Sequence, residues 1–351
     1  MPKIKVAILF GGCSNEHDVS LQSAHSVITH MDPQKYELIL VGITREGEWF
    51  RYYGDVQNIR KNRWLEDREN CVPVILSPNT RHANRLLEWA QGQVRETPFD
   101  IVFPILHGRN GEDGTLQGLF ELAGVPYVGC DALSSALCMD KDKAHKLVER
   151  EGIRTPASQM FELGTTREQL LNQLQHATYP LMVKPVRSGS SIGISMVHDL
   201  PELLTAMEVA FRHDSRILVE EYIKGVEIGC AILGNEELIV GELDEIELPG
   251  GFFDYTEKYT LAHARIHVPA RIDDRLADRI KQTAITIYRA LGCSGLARVD
   301  MFVTAEGEIY FNEVNTFPGF TECSRYPNMM KGIGLAFPDL IDRLIQLGLE
   351  R

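Results

Sequence analysis

The sequence predicts a mixed fold, with a parallel α/β lobe at the N-terminus followed by α+β lobes. Three observations predict it. Near the N-terminus, apolar strand runs end in glycine-rich turns and lead into helical patterns, the order of a parallel sheet with helical crossovers. Beyond Met182, strands and helices come in blocks instead. At 351 residues the chain exceeds one ordinary core and divides into two or three lobes.

In chain order, Ile4 to Phe10 is a buried-strand run that ends in Gly11-Gly12, and a helical pattern follows from Val19 to Met31. Tyr36 to Ile43 is a second strand, and Phe99 to Leu106 a third. The third ends in the loop His107-Gly108-Arg109-Asn110-Gly111-Glu112-Asp113-Gly114, before another helical stretch. A parallel lobe of this kind carries its site at the carboxyl ends of the strands. From about Gly54 to Glu96 the sequence is polar and irregular, which predicts periphery. The first lobe closes near Gly129-Cys130-Asp131. One helix is expected from Ala132 to Glu151, then strands at Met182 to Pro185, Gly193 to Val197, Ile217 to Tyr222 and Ile228 to Glu247. A helix from Asp273 to Leu291, a hairpin, and a helix from Pro338 to Leu349 complete the chain.

An apolar content of 44% and a charged content of 24% are those of a soluble globular protein. No apolar run approaches a membrane span, and Met1-Pro2-Lys3 leads directly into a strand, so neither a membrane nor a signal peptide is expected. Seven cysteines without CxxC or Cys/His metal spacing indicate a reducing cytoplasm and mostly buried thiols. A net charge of −13 argues against a nucleic-acid partner, although local Lys and Arg still permit a small anionic ligand. Internal repeats and low-complexity segments are absent.

The chemistry concentrates in the hairpin. Arg298-Val299-Asp300-Met301-Phe302-Val303 and Ile309-Tyr310-Phe311-Asn312-Glu313-Val314-Asn315 alternate around the turn residues Glu306 and Gly307. Asp300, Glu313 and Asn315 are hard oxygen ligands of the kind Mg²⁺ takes while leaving positions for phosphate oxygens. Arg298 faces the same way by the period of two and adds a fixed positive charge. A second element, Lys184-Pro185-Val186-Arg187-Ser188-Gly189-Ser190-Ser191-Ile192-Gly193, offers amides, hydroxyls and the Lys184 charge to phosphate, though an ordinary hairpin turn has the same composition. It is no Walker A loop, and Gly11-Gly12 does not meet GxGxxG. Val219-Glu220-Glu221-Tyr222-Ile223 can present amides and a carboxylate to an adenine edge, with Glu227 toward ribose; a solvated strand end is the alternative. Lys141 by default lies on a helix surface.

In this order the pieces resemble the ATP-grasp superfamily, and in particular the D-alanine–D-alanine ligases. The resemblance rests on Gly11 to Ser20, His107 to Gly114, Cys138-Met139-Asp140-Lys141, Lys184 to Gly193, Glu220 to Ile223, Glu257-Lys258-Tyr259, Arg298-Val299-Asp300 and Asn312 to Phe320. It implies three domains (1–131, 132–223 and 224–351), a cytoplasmic homodimer, and ATP bound between the second and third domains. It further implies that Lys141 and Lys184 contact the phosphates, with Ser190 and Ser191 in the covering loop. Glu220, Glu221, Tyr222, Ile223 and Glu227 hold adenosine, while Asp300, Glu313 and Asn315 hold two Mg²⁺ ions, Mn²⁺ being the alternative metal. By the same resemblance Glu16 binds the ammonium of the first D-alanine, with His107 beside its carboxylate. Ser190, Lys258 and Tyr259 close over the reaction centre, Arg298 and the Gly319 amide stabilise the oxyanion, and Ser324 binds the second substrate's carboxylate.

Phe253, in place of the family's common Tyr, and Arg325, in place of an apolar residue, resemble the vancomycin-resistance branch that joins D-alanine to D-serine. Arg325 balanced by Asp244 can order a polar network for the serine hydroxyl; alternatively it bonds only a main-chain carbonyl or the substrate carboxylate, leaving D-alanine preferred. D-lactate fits less well, because Glu257-Lys258-Tyr259 resembles the amine-using branches. Other ATP-grasp carboxylate–amine ligases lack these D-amino-acid elements. A nucleotide sensor has no need of Arg298 beside a metal set, and a hydrolase built on Cys13 or Cys323 shows no ordered His and acid partners.

Overall fold

The structure, a computed structural model, describes residues 2–247 and 265–351. Three sheets organise it. The first has seven strands in the order β6-β5-β4-β3-β2-β1-β7. Its centre is parallel: β1 (Ile4–Gly11) pairs with β2 (Tyr36–Ile43) from Ile4↔Tyr36 to Gly11↔Ile43, and with β7 (Ile101–Pro104) on its other side. These strands read as continuous apolar runs because both faces are covered.

The stretch expected to be irregular is instead ordered. It contributes β4 (Cys71–Leu76), β5 (Arg85–Ala90) and most of β6 (Gln93–Pro98), which together with β3 (Trp49–Tyr52), just before the stretch, extend the sheet antiparallel. The signal of β6 is weak because it is exposed or half-buried throughout and carries polar residues on both faces. The β5–β6 turn places Gln91 and Gly92 at φ 50° and 77°, the backbone of a two-residue hairpin.

The helix expected from Ala132 to Glu151 is two helices, Ala132–Met139 and Lys141–Arg150. Asp140 breaks them with an extended backbone, and its carboxylate caps the second by accepting from Lys143 N–H. The break turns Lys141 inward, where it is 4% exposed, so it is not a surface lysine.

The second sheet is antiparallel, in the order β10-β9-β11-β8, built from β8 (Ser158–Glu162), β9 (Leu181–Pro185), β10 (Ser195–Val197) and β11 (Arg216–Glu221). The Leu200–Ala210 helix packs Leu203, Ala206, Met207 and Ala210 onto it. The third sheet runs β14-β13-β12-β15-β16: β12 (Gly225–Gly234), β13 (Ile239–Glu247), β14 (Arg265–His267), β15 (Gly295–Thr304) and β16 (Ile309–Asn315). One face packs Ile228, Cys230, Val299 and Met301 against Ile280, Ala284 and Ile287 of the Asp274–Ala290 helix. The other is left for chemistry.

The last helix, Phe337–Leu349, places Leu340, Ile341 and Leu344 in one core with Val6, Ile8, Phe103 and Leu296, so the first and third sheets share an apolar seam. All seven cysteines are free thiols; Cys130, Cys138, Cys230 and Cys293 are buried, while Cys13 and Cys323 are exposed. Among the described residues no helix is long and apolar enough to cross a membrane.

Candidate active site

Strand register sets the polar face of the third sheet. Gly229 of β12 lies opposite Asp244 of β13 and Asp300 of β15, and Asp300 lies opposite Glu313 of β16. One row across four strands therefore reads Asp244, Gly229, Asp300, Glu313. The next row sets Arg298 opposite Asn315. A bulge between Asp300 and Met301 breaks the alternation, so the consecutive residues Asn312 and Glu313 both line the same cleft.

The row works only because its second member is glycine. A Cβ on Gly229 would stand 2.4 Å from Asp244 Oδ1 and 2.5 Å from Arg325 Nη2. Into that space the Arg325 guanidinium reaches, donating from Nε to Asp244 Oδ2 at 2.6 Å and from Nη2 to Asp244 Oδ1 at 2.8 Å. Nη1 donates to Glu227 at 3.3 Å, and Nη2 is 3.5 Å from Asp300. Arg298 makes its own fork onto Asp300, at 2.7 Å from Nε and 2.6 Å from Nη2, while Asn315 Nδ2 donates to the same carboxylate at 2.9 Å. Burial works against both guanidinium charges, yet Asp300 beside Arg298, and Asp244 with Asp300 beside Arg325, outweigh it and push both arginines up. Both stay charged.

Between the second and third sheets lies a cavity of about 320 Å³, lined by Lys141, Lys184, Ser191, Glu220, Glu221, Tyr222, Ile223, Glu227, Asn312 and Glu313 among others. Each lysine is held by an acid: Lys141 Nζ is 3.1 Å from Glu313 and donates to Ser188 O, and Lys184 Nζ is 2.6 Å from Glu220 and donates to Asn312 Oδ1. Burial raises Glu220, but the Lys184 ammonium beside it more than reverses this, so its carboxyl sits below the ordinary value. The Glu221 carboxylate accepts from Ala157 N–H at 2.9 Å. Ser190 and Ser191 take φ of 52° and 56°, and the Ser190 hydroxyl donates to Glu16, which joins the covering loop to the first lobe.

On the first lobe His107 is 3% exposed. Nδ1 donates to Phe317 O at 3.0 Å and Nε2 accepts from Ser23 Oγ at 3.0 Å, so both ring nitrogens are engaged. Burial lowers its pKa and keeps the ring neutral. Its evident work is to fasten the Thr316 to Phe320 loop to the first lobe. Glu112 does the same from the other side, accepting from Gly108 N–H at 2.6 Å and from Phe317 N–H at 3.1 Å. Burial, then the neighbouring Glu16, push Glu112 up to about 8.

Gly319 lies within this loop and Ser324 just beyond it, Gly319 approaching the Ser324 side chain. Ser324 begins the Arg325–Gly332 helix, which the sequence reading missed, and its hydroxyl accepts from Thr321 N–H and pairs with Thr321 Oγ1. Phe253, Lys258 and Tyr259, with the loop expected to close over the centre, lie outside the described residues.

Sequence reasoning also overlooked Gly229, Glu112, Asn312 and His145 as members of the site. Gly229 had a signal, because a glycine inside a strand marks a close approach. Asn312 becomes visible only through the bulge, His145 through the broken helix, and Glu112 through its bonds to Gly108 and Phe317.

The donor set can be tested for a divalent ion. Among the described residues no three His, Cys, Asp or Glu side chains converge as a metal cage. Two carboxylates on adjacent strands and one carboxamide make an incomplete oxygen set, which suits an ion that completes its shell with phosphate and water. The residues fit Mg²⁺.

Residues 5–130 match the D-ala D-ala ligase N-terminus family, and residues 147–346 match the D-ala D-ala ligase C-terminus family. The chain belongs to the D-alanine–D-alanine ligase family. Within it, the fold is similar to the crystal structure of VanG D-Ala:D-Ser ligase from Enterococcus faecalis, with 55% identity, a TM-score of 0.91, and 99% of this chain and 100% of that one covered. The vancomycin B-type resistance protein VanB of Enterococcus faecalis is 46% identical over the full length of both chains. A D-alanine–D-alanine ligase of Caldicellulosiruptor bescii is 43% identical over 100% of this chain and 96% of its own. A ligase named for D-serine and one named for D-alanine both match this chain over nearly their whole length, and identity alone does not select between them.

Proposed function

We propose that this chain is a cytoplasmic, ATP-dependent ligase of peptidoglycan precursor synthesis that joins D-alanine to D-serine, the reaction type of vancomycin resistance. It works as a homodimer on the family reading. The observation that carries the D-serine assignment is the Arg325–Asp244 fork over Gly229. Three of the five guanidinium N–H groups are taken by Asp244 and Glu227, which leaves two donors held rigidly beside Asp300. A substrate hydroxyl can accept from such a donor. D-Alanine offers nothing there and leaves a buried donor unpaired, which is how a site built for a hydroxyl discriminates strongly.

In this reading Lys141 and Lys184 leave their acids to meet the ATP phosphates. Glu221, Tyr222, Ile223 and Glu227 hold adenosine along the cavity wall, with Glu220 at its base. Asp300, Glu313 and Asn315 would hold Mg²⁺, which would offset phosphate charge. Glu16 orients the ammonium of the first D-alanine, whose carboxylate attacks the γ-phosphorus to give an acyl phosphate and ADP. The amine of the second substrate then attacks the acyl carbon, Arg298 and the Gly319 N–H stabilise the oxyanion, and phosphate leaves. Ser190, Lys258 and Tyr259 exclude water from the hydrolysable intermediate.

The test is product mass after incubation with ATP, Mg²⁺, D-alanine, D-serine and D-lactate. D-alanyl-D-serine is expected to dominate. Predominant D-alanyl-D-alanine reverses the assignment and leaves an ordinary D-alanine–D-alanine ligase, the reading in which Arg325 serves only Asp244.

A further inference from the structure

One buried group behind the wall of the nucleotide cleft has no role in that mechanism. His145, on the Lys141–Arg150 helix, is 2% exposed, and Glu220, on β11, is 1% exposed. The imidazole donates from Nε2 to the Asn312 carbonyl at 3.0 Å. Its Nδ1 stands 3.9 Å from Glu220 Oε1, beyond hydrogen-bond reach. Among the described residues neither that nitrogen nor either Glu220 oxygen has a well-aligned hydrogen-bond partner. Glu220 relies on Lys184, whose Nζ lies 2.6 Å from Oε2 as an ion pair without hydrogen-bond alignment.

Resting on the ATP reading above, the consequence is electrostatic. As Lys184 turns toward a phosphate, Glu220 loses its partner at a depth where an uncompensated carboxylate is strongly unfavourable. An adenine amino group is a neutral donor and supplies no charge. The groups facing His145 are Glu220 from β11, Lys184 from β9, Asn312 and the Phe311 ring from β16, and Lys141 at the head of its own helix. Asp142 on that helix is taken by Lys146 and Lys143. In the nucleotide-free cleft two ammonium groups oppose a positive ring; a polyphosphate between them reverses that balance.

We propose that His145 is a positioning residue that takes a proton from solvent as a nucleotide engages Lys184. The new Nδ1–H closes about 1 Å to donate to Glu220 Oε1 at ordinary hydrogen-bond distance. Glu220 keeps its charge and its place, and through Asn312 the metal-bearing strand stays in register with the adenine-bearing one. Nucleotide binding is thereby coupled to proton uptake.

Calorimetry of the full chain with Mg²⁺ and ADP, at about pH 8 in buffers of different ionisation heat, reads the protons exchanged. The parent is expected to take up a substantial fraction of one proton per ADP bound. His145→Gln abolishes the uptake and weakens ADP about tenfold, whereas His145→Lys carries a permanent charge, so it also abolishes uptake but keeps affinity within about threefold. Binding without uptake in the parent, or unchanged uptake in His145→Gln, overturns the proposal. Failure to bind ADP at all overturns the nucleotide reading instead.

Discussion

Replacing Arg325 with methionine separates the structural and the selective work of one side chain. The guanidinium holds Asp244 through two hydrogen bonds of 2.6 and 2.8 Å, and Asp244 is fully buried. Asp300 keeps the Arg298 fork in the variant, and Glu227 lines the open cleft, so Asp244 is the stranded charge. It retains one partner, the Gly229 N–H at 3.0 Å. Breaking a buried pair by removing one member costs about 3–5 kcal/mol. A ceiling applies, because a stranded carboxylate can instead take a proton, which from the ordinary carboxyl value costs about 4 kcal/mol at pH 7. We therefore expect a loss of about 3–4 kcal/mol and, at roughly 2–4 °C per kcal/mol, a fall of about 6–16 °C in thermal midpoint. The deficit shrinks on acidification by about 1.4 kcal/mol per pH unit, since protonation becomes easier. Asp244→Asn added to Arg325→Met restores most of the loss, while D-serine preference stays absent because the donor is gone. Thermal unfolding from pH 5 to 8, with product ratios for each variant, makes the comparison. A variant as stable as its parent, or a double variant no better than the single, defeats the reasoning that this pair is a buried charge couple.

Three further outcomes are expected. Glu313→Gln removes ligase turnover by at least about a hundredfold while leaving the thermal midpoint within a few degrees, because its side chain lines the cleft and is only partly covered; ADP release dependent on D-alanine is the measurement. Gly229→Ala drives a methyl against Asp244 and Arg325, and is expected to cost stability and to erode D-serine preference together, read by unfolding and by product mass. The pH dependence of stability has two limbs of opposite origin. Glu112, at about 8 in the folded chain against 4.5 when free, makes the native state the better proton binder between those values, so its contribution declines as pH rises across that window. His107 is lowered from 6.5, so the unfolded chain binds more protons below that value and stability declines as pH falls through it. Glu112→Gln is expected to flatten the first limb and leave the second, as thermal midpoints against pH will show; an unchanged slope between pH 5 and 8 excludes Glu112 as its source.

What was legible in the sequence follows the distinction between local and non-local information. The alternation of Arg298 to Val303 and Ile309 to Asn315 put Arg298, Asp300, Glu313 and Asn315 on one face, and the register Arg298↔Asn315 and Asp300↔Glu313 places them there. The runs Ile4 to Phe10 and Tyr36 to Ile43 were plain because a strand buried on both faces is uninterrupted by polar residues. The β6 strand was not, since an exposed edge imposes no apolar pattern on its residues. The residues alone placed Lys141 on a helix surface, unlike the resemblance, because helical periodicity runs through Asp140 without a break, and only the capping bond to Lys143 N–H reveals that the helix restarts there with its first residue facing the cleft. Glu220 was taken as a group open to adenosine; its pairing with Lys184 and proximity to His145 arise from three separate segments that no local spacing connects. The same holds for His107, whose two bonds to Ser23 and Phe317 join residues far apart in the chain. Oxygen ligands carried on one hairpin can therefore be read from their order, whereas the charges that bias them before any ligand arrives belong to the assembled lobes. On the proposed reading the selectivity of this site lies in that second layer: Gly229 leaves the space, Asp244 fixes the fork, and Arg325 would supply the donor, from three elements brought together only by the fold.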